Sequence, residues 1–501
     1  MHISLTDTQF KKLCNKIVIL AQSNEQKNAH ILDYFDSVGI RYRQRSIRDG
    51  DYSFIVEACP ELGIPCDLAF DDDLFIERKN SLQELAQSLY GQKEKKTVVV
   101  DGEKISAIKE KGADTTGYEV VDLNGQYIMP GLINMHVHIP ASGKPKKGKT
   151  NYNAIAALLK FAVARAVVRK MCANLAKEEL LSGTTTIRAV GGVMDFDTEL
   201  RDKINAKKVV GPRILAANYA ISVPGGHMTG SVALPVHSPE EAAAMVDDLA
   251  KTKPDLIKLM ITGGVLDAVV PGEPGVLKMP PEYVKAACDR AHALGFKVAA
   301  HVESTEGMVV ALENGVDTIE HGGHSSEKTT ELFKKTGSVL ISTISPAVPF
   351  AVMDQAITGL TETDLINGKA LFENIIDGAN AALAAGIPVG LGTDTGCPYI
   401  THYDMWRELV YYTKYCHVSN AFALYSATLL NAKIAGIDSE TGSIDVGKSA
   451  DFAVTKANPL EDLTTLRNVS MVVFRGDVIK DPKPNKMPEV EKNLDLVMNA
   501  I

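Results

Sequence analysis

The sequence lacks any apolar run long enough to cross a membrane. Its first residues, MHISLTDTQFKKLC, also lack the uninterrupted apolar segment of a signal peptide. Only seven cysteines occur among 501 residues, and their odd number and scattered positions argue against a disulfide framework. We therefore expect a cytoplasmic protein that has no membrane partner.

Aromatic residues are also scarce, at 6%, with a single tryptophan, Trp406. Hydrophobic residues nevertheless reach 45%, while charged residues make up only 23%. A chain of this length and composition can bury several cores, and the length predicts two or three domains.

Two histidines are spaced as metal ligands in the segment MPGLINMHVHI, residues 129–139. His136 and His138 come at the end of an apolar, strand-like run. Because residues i and i+2 of a strand point the same way, both imidazoles can reach one metal ion.

The same pattern recurs along the chain, because further polar residues lie at the ends of apolar runs. These residues are Lys258, His301, His321 and Asp394. In a parallel α/β barrel the chemistry collects at the carboxyl ends of the strands. The pattern predicts a TIM (β/α)8 barrel whose strands begin near residues 131, 184, 213, 255, 296, 316, 338 and 388. Its Ala-rich helices are predicted over 154–181, 239–252 and 281–294.

Lys258 stands out because apolar residues flank it on both sides in DLIKLMI. A buried ammonium is costly unless it is paired or chemically altered. Carbamylation by carbon dioxide would turn Lys258 into an anion that can bridge two metal ions.

On these motifs, residues 97 to about 485 resemble the amidohydrolase superfamily. They resemble most the branch of imidazolonepropionase-like and Xaa-Pro dipeptidase-like proteins with two metals. The resemblance implies that His136, His138 and Asp394 bind one divalent ion, while His301 and His321 bind the other. Carboxylated Lys258 would bridge the two ions. Imidazolonepropionase itself and the related deaminases are mononuclear and lack such a lysine, so Lys258 favours a binuclear hydrolase.

The resemblance also implies a reaction, the hydrolysis of a C–N amide bond by a hydroxide shared between two metals. Asp394 would take the proton of that hydroxide and deliver it to the leaving nitrogen. His227 and Arg188 follow two further strand-like runs and could bind a substrate carboxylate or the oxyanion, although Arg188 could equally be a structural ion-pair partner. Family members often carry an aspartate and a second polar ring where Ala189 and Glu303 stand.

Imidazole and carboxylate ligands suit zinc best. The expected substrate is a dipeptide, including an Xaa-Pro dipeptide, or an N-acyl amino acid. A cyclic amide or a deamination substrate at the same site is the alternative. We also expect a homo-oligomer.

A small β-sandwich is predicted beside the barrel, built from residues 93–128 and 441–485. Its first flank would contain a hairpin turning at Asp101 and Gly102, followed by a strand over 118–123. The barrel itself is predicted over 129–440, and residues 486–501 form a C-terminal tail.

Residues 1–92 follow a different pattern, an α/β segment with GDY at 50–52 and ERK at 77–79. This segment resembles part of an XPF-type nuclease domain. The resemblance implies that Asp51 and Glu77 hold Mg²⁺ while Lys79 orients the water, so a DNA endonuclease is the alternative function. The segment carries ten Lys and Arg against fourteen Asp and Glu. Since that balance gives no basic footprint, we do not expect nucleic acid as a partner.

Overall fold

The computed structural model describes residues 17–22, 41–45, 52–56, 68–69, 96–145, 157–268 and 270–500. The chain divides into two compact units, Met1–Leu85 and Ala86–Ile501. The division lies close to the domain boundary predicted at residue 92.

The first unit contains a four-stranded sheet. Its strands are β1 (Ile17–Gln22), β2 (Tyr42–Arg45), β3 (Tyr52–Val56) and β4 (Leu68–Ala69). The strand order is β2-β1-β3-β4, with β1 parallel to β2 and antiparallel to β3. The predicted nuclease residues Asp51, Glu77 and Lys79 lie outside the described residues.

The second unit alternates strands with helices along most of its length. Its strands are β5 (Lys96–Asp101), β6 (Lys104–Glu110), β7 (Tyr127–Pro130), β8 (Leu132–Val137), β9 (Thr184–Ala189), β10 (Arg213–Ala216), β11 (Ala220–Ser222), β12 (Ala233–Pro235), β13 (Leu256–Met260), β14 (Lys297–Val302), β15 (Thr318–His321), β16 (Val339–Ser342), β17 (Val389–Leu391), β18 (Phe452–Thr455), β19 (Met471–Phe474) and β20 (Asp477–Lys480). Its α-helices are α1 (Ala162–Leu181), α2 (Phe196–Asn205), α3 (Pro239–Ala250), α4 (Pro281–Ala293), α5 (Thr305–Glu313), α6 (Glu327–Thr336), α7 (Val348–Ala351), α8 (Gln355–Thr358), α9 (Glu362–Ala384), α10 (Met405–Cys416), α11 (Asn420–Tyr425), α12 (Asn431–Ala435) and α13 (Pro488–Ala500).

Parallel strands form the centre of this unit. They lie in two sheets, with the orders β10-β9-β8 and β12-β11-β13-β14-β15-β16-β17. Eight of them, β8 to β10 and β13 to β17, begin within two residues of the predicted positions. All residues of β8, β9 and β13 are buried, as expected for strands covered on both faces.

The two parallel sheets approach each other at both ends. At one end, Val137 pairs with Thr395 in a parallel bridge, and the backbone N–H of His138 donates to the Thr395 carbonyl at 2.8 Å. At the other, the Asp255 N–H donates to the Ala216 carbonyl at 2.8 Å. Gly392 is required at the first approach, because a Cβ there would lie 2.5 Å from Cβ of the neighbouring histidine on β8.

The two flanks of the barrel segment come together in a small β-structure. Strands β20-β19-β18-β7 form an antiparallel sheet, and β5 and β6 form the hairpin predicted at the Asp-Gly turn. Ile105 of the hairpin packs with Ala450, Phe452 and Val473 in a shared apolar core. The strand predicted over 118–123 is wrong: these residues are irregular and mostly exposed, and no strand of the described part of the chain pairs with them.

The helices agree well with the amphipathic pattern of the sequence. The helices predicted to begin at 239 and 281 are α3 and α4, and the side chain of Ser238 caps α3 by accepting from the Glu241 N–H. The first predicted helix corresponds from Ala162 onward to α1, and the predicted start at 154 lies outside the described residues. The predicted tail contains a helix, α13, whose Leu494 is buried.

Among the described residues, no helix is long and apolar enough to cross a membrane.

Candidate metal centre

The six side chains predicted as metal ligands converge at the carboxyl ends of the parallel strands. His136 and His138 end β8, Lys258 lies in β13, His301 in β14, His321 ends β15, and Asp394 follows β17. Five of the six are buried and His138 is partly buried. Strand geometry explains this convergence, since the ends of neighbouring parallel strands share one edge of a sheet.

One group of candidate ligands gathers around the carboxylate of Asp394. Its Oδ1 lies 3.1 Å from Nε2 of His138 and 3.4 Å from Nε2 of His136. His136, His321 and Asp394 each place a ligand atom within 4.8 Å of the others. This spacing would let the three side chains contact a single cation.

A second group lies beside the first and shares one histidine with it. His301, His321 and Glu303 place their ligand atoms within 4.8 Å of one another. The ring of His321 is 4.7 Å from that of His301 and 4.7 Å from that of His136. The two groups overlap at His321, which offers one ligand atom and can therefore contact one cation.

Two of these ligands have unusual backbone conformations. The φ angles of His321 and Asp394 are 68° and 57°, in the left-handed region that few residues other than glycine adopt. Such conformations cost free energy and persist where the surrounding structure enforces them. Their presence at two predicted ligands indicates that the surrounding structure holds these two residues in a fixed conformation at this edge of the sheet.

Each of the four ligand histidines has a hydrogen-bond partner on one ring nitrogen. Nδ1 of His136 lies 2.9 Å from Glu320, Nδ1 of His138 lies 2.9 Å from the carbonyl of residue 191, and Nδ1 of His321 lies 2.7 Å from the Thr343 hydroxyl. Nε2 of His301 lies 3.2 Å from the carbonyl of residue 263. Partners of this kind orient imidazoles and leave the other nitrogen for a metal.

The sequence predicts that Arg188 could bind substrate, but in the structure its guanidinium contacts residues of β8 and β15. It donates to Glu320 at 2.7 and 2.8 Å, to the Thr318 hydroxyl at 3.1 Å and to the Met135 carbonyl at 2.7 Å. Only 5% of the residue is exposed. These contacts favour the alternative interpretation, a structural ion-pair partner.

Lys258 is the least satisfied group in the centre. Its Nζ is buried and has no hydrogen-bond partner among the described residues. Burial lowers the pKa of Lys258 to about 8, with the charge of Arg188 acting in the same direction. A neutral amine is the form that reacts with carbon dioxide, so the site suits carboxylation of Lys258.

Burial disfavours the charged form of three of these imidazoles. Burial lowers the pKa of His136 to about 4, and it lowers the pKa values of His301 and His321 well below the usual range. Burial alone would raise the pKa of Asp394, but the imidazoles of His136 and His138 hold it well below its usual range. Neutral imidazoles and an ionised carboxylate are the forms that bind metal.

The donor set therefore fits divalent metal ions. Besides Lys258 Nζ, Oδ1 of Asp394 and Oε2 of Glu303 are buried without a hydrogen-bond partner among the described residues. A cation would satisfy both carboxylate oxygens, whereas leaving them unpaired is costly.

His227, for which the sequence predicts a role in substrate binding, lies beside His301. Its ring stacks on that of His301, with centroids 4.0 Å apart and planes 9° apart. Nδ1 pairs with the carboxylate of Asp267, which leaves Nε2 available to a substrate. Gly264 permits this arrangement, because a Cβ there would lie 2.8 Å from the imidazole.

Cys397, at the edge of the centre, donates its thiol to Oδ2 of Asp394 at 3.2 Å. Burial and the charge of Asp394 raise the pKa of the thiol well above its usual range. A protonated thiol can hold Asp394 in place but does not serve as a nucleophile.

Sequence reasoning missed Glu320, Thr343 and Asp267. Glu320 could have been found by the argument applied to Lys258, since it is a charge at the end of an apolar run in GVDTIEHGG. Thr343 and Asp267 had no such signal, because their partners lie 22 and 40 residues away along the chain.

Comparison with known proteins identifies the family of this chain. The model of the amidohydrolase family matches residues 127–479. Imidazolonepropionase from Symbiobacterium thermophilum is 24% identical over 373 residues, which cover 69% of this chain and 78% of that protein.

Solved structures give the same result at higher identity. The crystal structure of a Bifidobacterium longum protein with a provisional prolidase assignment has a TM-score of 0.70 and 36% identity, and the match covers 80% of this chain and 93% of that one. A Xaa-Pro dipeptidase with methionine bound in its active site has a TM-score of 0.67 and 31% identity, covering 76% and 94%. These likenesses confirm the predicted family resemblance and a TIM-barrel-like α/β fold.

Proposed function

The chain belongs to the amidohydrolase family, whose members hydrolyse carbon–nitrogen bonds, and on that premise we propose that it is a binuclear metal-dependent hydrolase of small amides. The proposed substrates are dipeptides, including Xaa-Pro dipeptides, and N-acyl amino acids. The observation that carries the proposal is the buried Nζ of Lys258, which has no hydrogen-bond partner among the described residues and whose charge acts on His136, His301 and His321. Without carboxylation and metal, that position would only destabilise the fold.

In the proposed centre, His136, His138 and Asp394 would hold one ion, and His301 and His321 would hold the other. Carboxylated Lys258 would supply a further anionic ligand. Two divalent ions, when bound, would activate a water molecule and polarise the scissile carbonyl. Zinc suits the imidazole and carboxylate ligands.

Asp394 is the proposed proton carrier of the reaction. Its Oδ1 faces the two histidines of β8, and its Oδ2 accepts from the Cys397 thiol. A carboxylate held on both oxygens and kept ionised can take a proton from the attacking water and pass it to the leaving nitrogen.

His227 is the proposed oxyanion group. With Nδ1 paired to Asp267, its Nε2 can donate to the carbonyl oxygen as negative charge develops there. The side chain is 19% exposed, so an incoming substrate can reach it.

The proposal includes the architecture around the site. We infer that the eight parallel strands close into one barrel over residues 129–440, supported by the contacts between β8 and the segment after β17. Residues 93–128 and 441–485 would form the small β-domain, supported by the core that Ile105 shares with Phe452.

A substrate panel tests this function. The purified protein, stripped with a chelator and then restored with Zn²⁺ and bicarbonate, should hydrolyse members of a panel of Xaa-Pro dipeptides, other dipeptides and N-acyl amino acids. Activity should be lost on stripping and return on restoration. Amide hydrolysis that persists fully after verified metal removal would contradict the proposal.

A further inference from the structure

Glu303 is a buried carboxylate that the ligand set described so far does not use. It follows β14 and lies two residues after His301, so the strand period places both side chains on one face. Only 6% of the residue is exposed. The sequence resemblance leads one to expect a second polar ring at this position, and a carboxylate stands there instead.

The surroundings of Glu303 do not balance its charge. Within the described part of the chain, it forms no ion pair with a lysine or arginine, and the imidazole of His301 is 3.7 Å from its Oε1. Its Oε2 is buried without a hydrogen-bond partner among the described residues. The charges of Asp394 and Asp267 act against its ionisation, and the backbone hydrogen bond from Val265 offsets them only in part.

A cation beside Glu303 would balance its negative charge. The carboxylate of Glu303 and the imidazoles of His301 and His321 place one ligand atom each within 4.8 Å of one another. Carboxylate and imidazole together form a common ligand set for zinc and related ions. Burying an isolated carboxylate among like charges costs several kcal/mol, roughly, unless such an ion is bound.

We propose that Glu303 is a direct ligand of the second metal ion, in addition to His301, His321 and Lys258. The inference rests on the proposed metal-dependent function. It assigns to this chain a carboxylate ligand in the second site.

The test compares Glu303→Gln, which keeps the shape of the side chain and removes its charge, with Glu306→Gln. Glu306 is exposed in the first turn of α5, three residues away, and provides a matched control. Metal content after dialysis, and Zn²⁺ and Co²⁺ affinities of the metal-free proteins, would be measured by elemental analysis and calorimetry.

We expect Glu303→Gln to bind the second Zn²⁺ at least about tenfold more weakly than the parent and to change the visible spectrum of the Co²⁺-loaded protein. Without metal, the variant should be at least as resistant to urea as the parent, because it no longer buries an unpaired carboxylate. Glu306→Gln should match the parent in all three measurements.

Two results would overturn the inference, and they differ in what else they affect. If the parent binds two metals and Glu303→Gln retains both with unchanged affinity, the inference fails while the proposed function stands. This includes the case in which only the KM for free dipeptides rises, since the carboxylate would then bind the substrate ammonium. If the parent binds fewer than two metals, the binuclear proposal fails together with the inference.

Discussion

Glu320 connects the candidate ligand His136 to the buried Arg188. Its carboxylate accepts from Arg188 and lies 2.9 Å from Nδ1 of His136, while the Thr318 hydroxyl donates to it at 2.6 Å. Burial alone would raise the pKa of Glu320, but the charge of Arg188 and the hydrogen bond with His136 lower it far below its usual range. An ionised Glu320 fixes the tautomer of His136, so that Nε2 faces Asp394.

The substitution Glu320→Gln tests this role. It leaves the buried guanidinium of Arg188 without a counter-charge, which should destabilise the protein by about 3–5 kcal/mol. Loss of the anionic partner of His136 should also weaken metal binding by roughly 10–100-fold. Urea unfolding of the metal-free protein and metal titration would measure the two effects.

The double variant Arg188→Met, Glu320→Gln is the control for the unpaired charge of Arg188. Because the unpaired arginine is then removed as well, stability should recover in part while metal affinity stays low. Equal metal affinity in the parent and in Glu320→Gln would show that Glu320 is not a positioning residue for His136.

His227 should matter for turnover and not for metal content. Replacing it with alanine removes the proposed oxyanion donor, so kcat should fall by about 10²–10³. Metal content should stay at the parental value, because His227 is not among the proposed ligands. The control is His237→Ala, an exposed histidine on the same stretch of chain. A fall in metal content equal to the fall in kcat would count against the assigned role.

The candidate ligands could be found from sequence because each lies in an apolar run or at its end, which is a local signal. His136 and His138 also carry the two-residue strand period. The pairing of Arg188 with Glu320 could not be predicted, since the two residues are 132 positions apart. They meet only because the fold brings β9 and β15 together. Glu303 was visible in the sequence, but its approach to His321 depends on the packing of β14 beside β15.

At the scale of elements, α10 holds the segment that follows β16. Both oxygens of Glu408, on α10, accept backbone N–H groups, from Ile344 at 2.8 Å and from Ser345 at 2.7 Å. The carboxyl is fully buried, and burial raises its pKa to about 7. The folded state therefore binds a proton that the unfolded chain, with a glutamate pKa of about 4.3, releases.

This shift predicts a pH dependence of stability. The contribution of protonated Glu408 is fully present below pH of about 4.3 and is lost as the pH rises through about 7, a change of about 2–4 kcal/mol. The urea midpoint of the parent should fall more steeply between pH 5 and 8 than that of Glu408→Gln. An exposed control, Glu331→Gln, should follow the parent. Parallel curves for parent and Glu408→Gln would contradict the prediction.

The C-terminal helix α13 is a second element with a clear role. Arg407 and Arg467 both donate to Glu491 and Asp495 on this helix, at 2.8 to 3.2 Å. Arg407 lies at the start of α10, soon after Asp394. These ion pairs therefore attach α13 to the segment that follows β17.

Two neighbouring leucines of α13 provide a matched test. Leu494 is 3% exposed and Leu496 is 55% exposed. Leu494→Ala should cost about 2–5 kcal/mol of stability, because it leaves a cavity. Leu496→Ala should change stability by no more than about 0.5 kcal/mol. Similar urea midpoints for the two variants would show that α13 is not packed as described.

Strand positions followed from sequence more closely than strand pairing. The runs that begin near 184 and 213 start β9 and β10 at the predicted residues, and the threonines of β9 are residues that favour strands. The strand predicted over 118–123 failed, since YEVVDL has the composition of a strand but pairs with no strand among the described residues. Pairing depends on tertiary context that composition does not contain.

At the scale of the whole molecule, every residue assigned to the metal centre belongs to the second compact unit. The family match, residues 127–479, covers all of them. The match begins well after residue 92 and therefore does not bear on the nuclease-like interpretation of the first segment. That interpretation, the cytoplasmic location and the homo-oligomer stay predictions.

The most direct test of the central claim is elemental analysis of the purified protein beside Lys258→Ala, with Lys335→Ala on the surface of α6 as the control. We predict about two transition-metal ions per chain in the parent and in the control, and a large loss of both metal and amide hydrolysis in Lys258→Ala. A parent that stays free of metal after treatment with Zn²⁺ and bicarbonate, or a Lys258→Ala protein that retains both ions, would contradict the account.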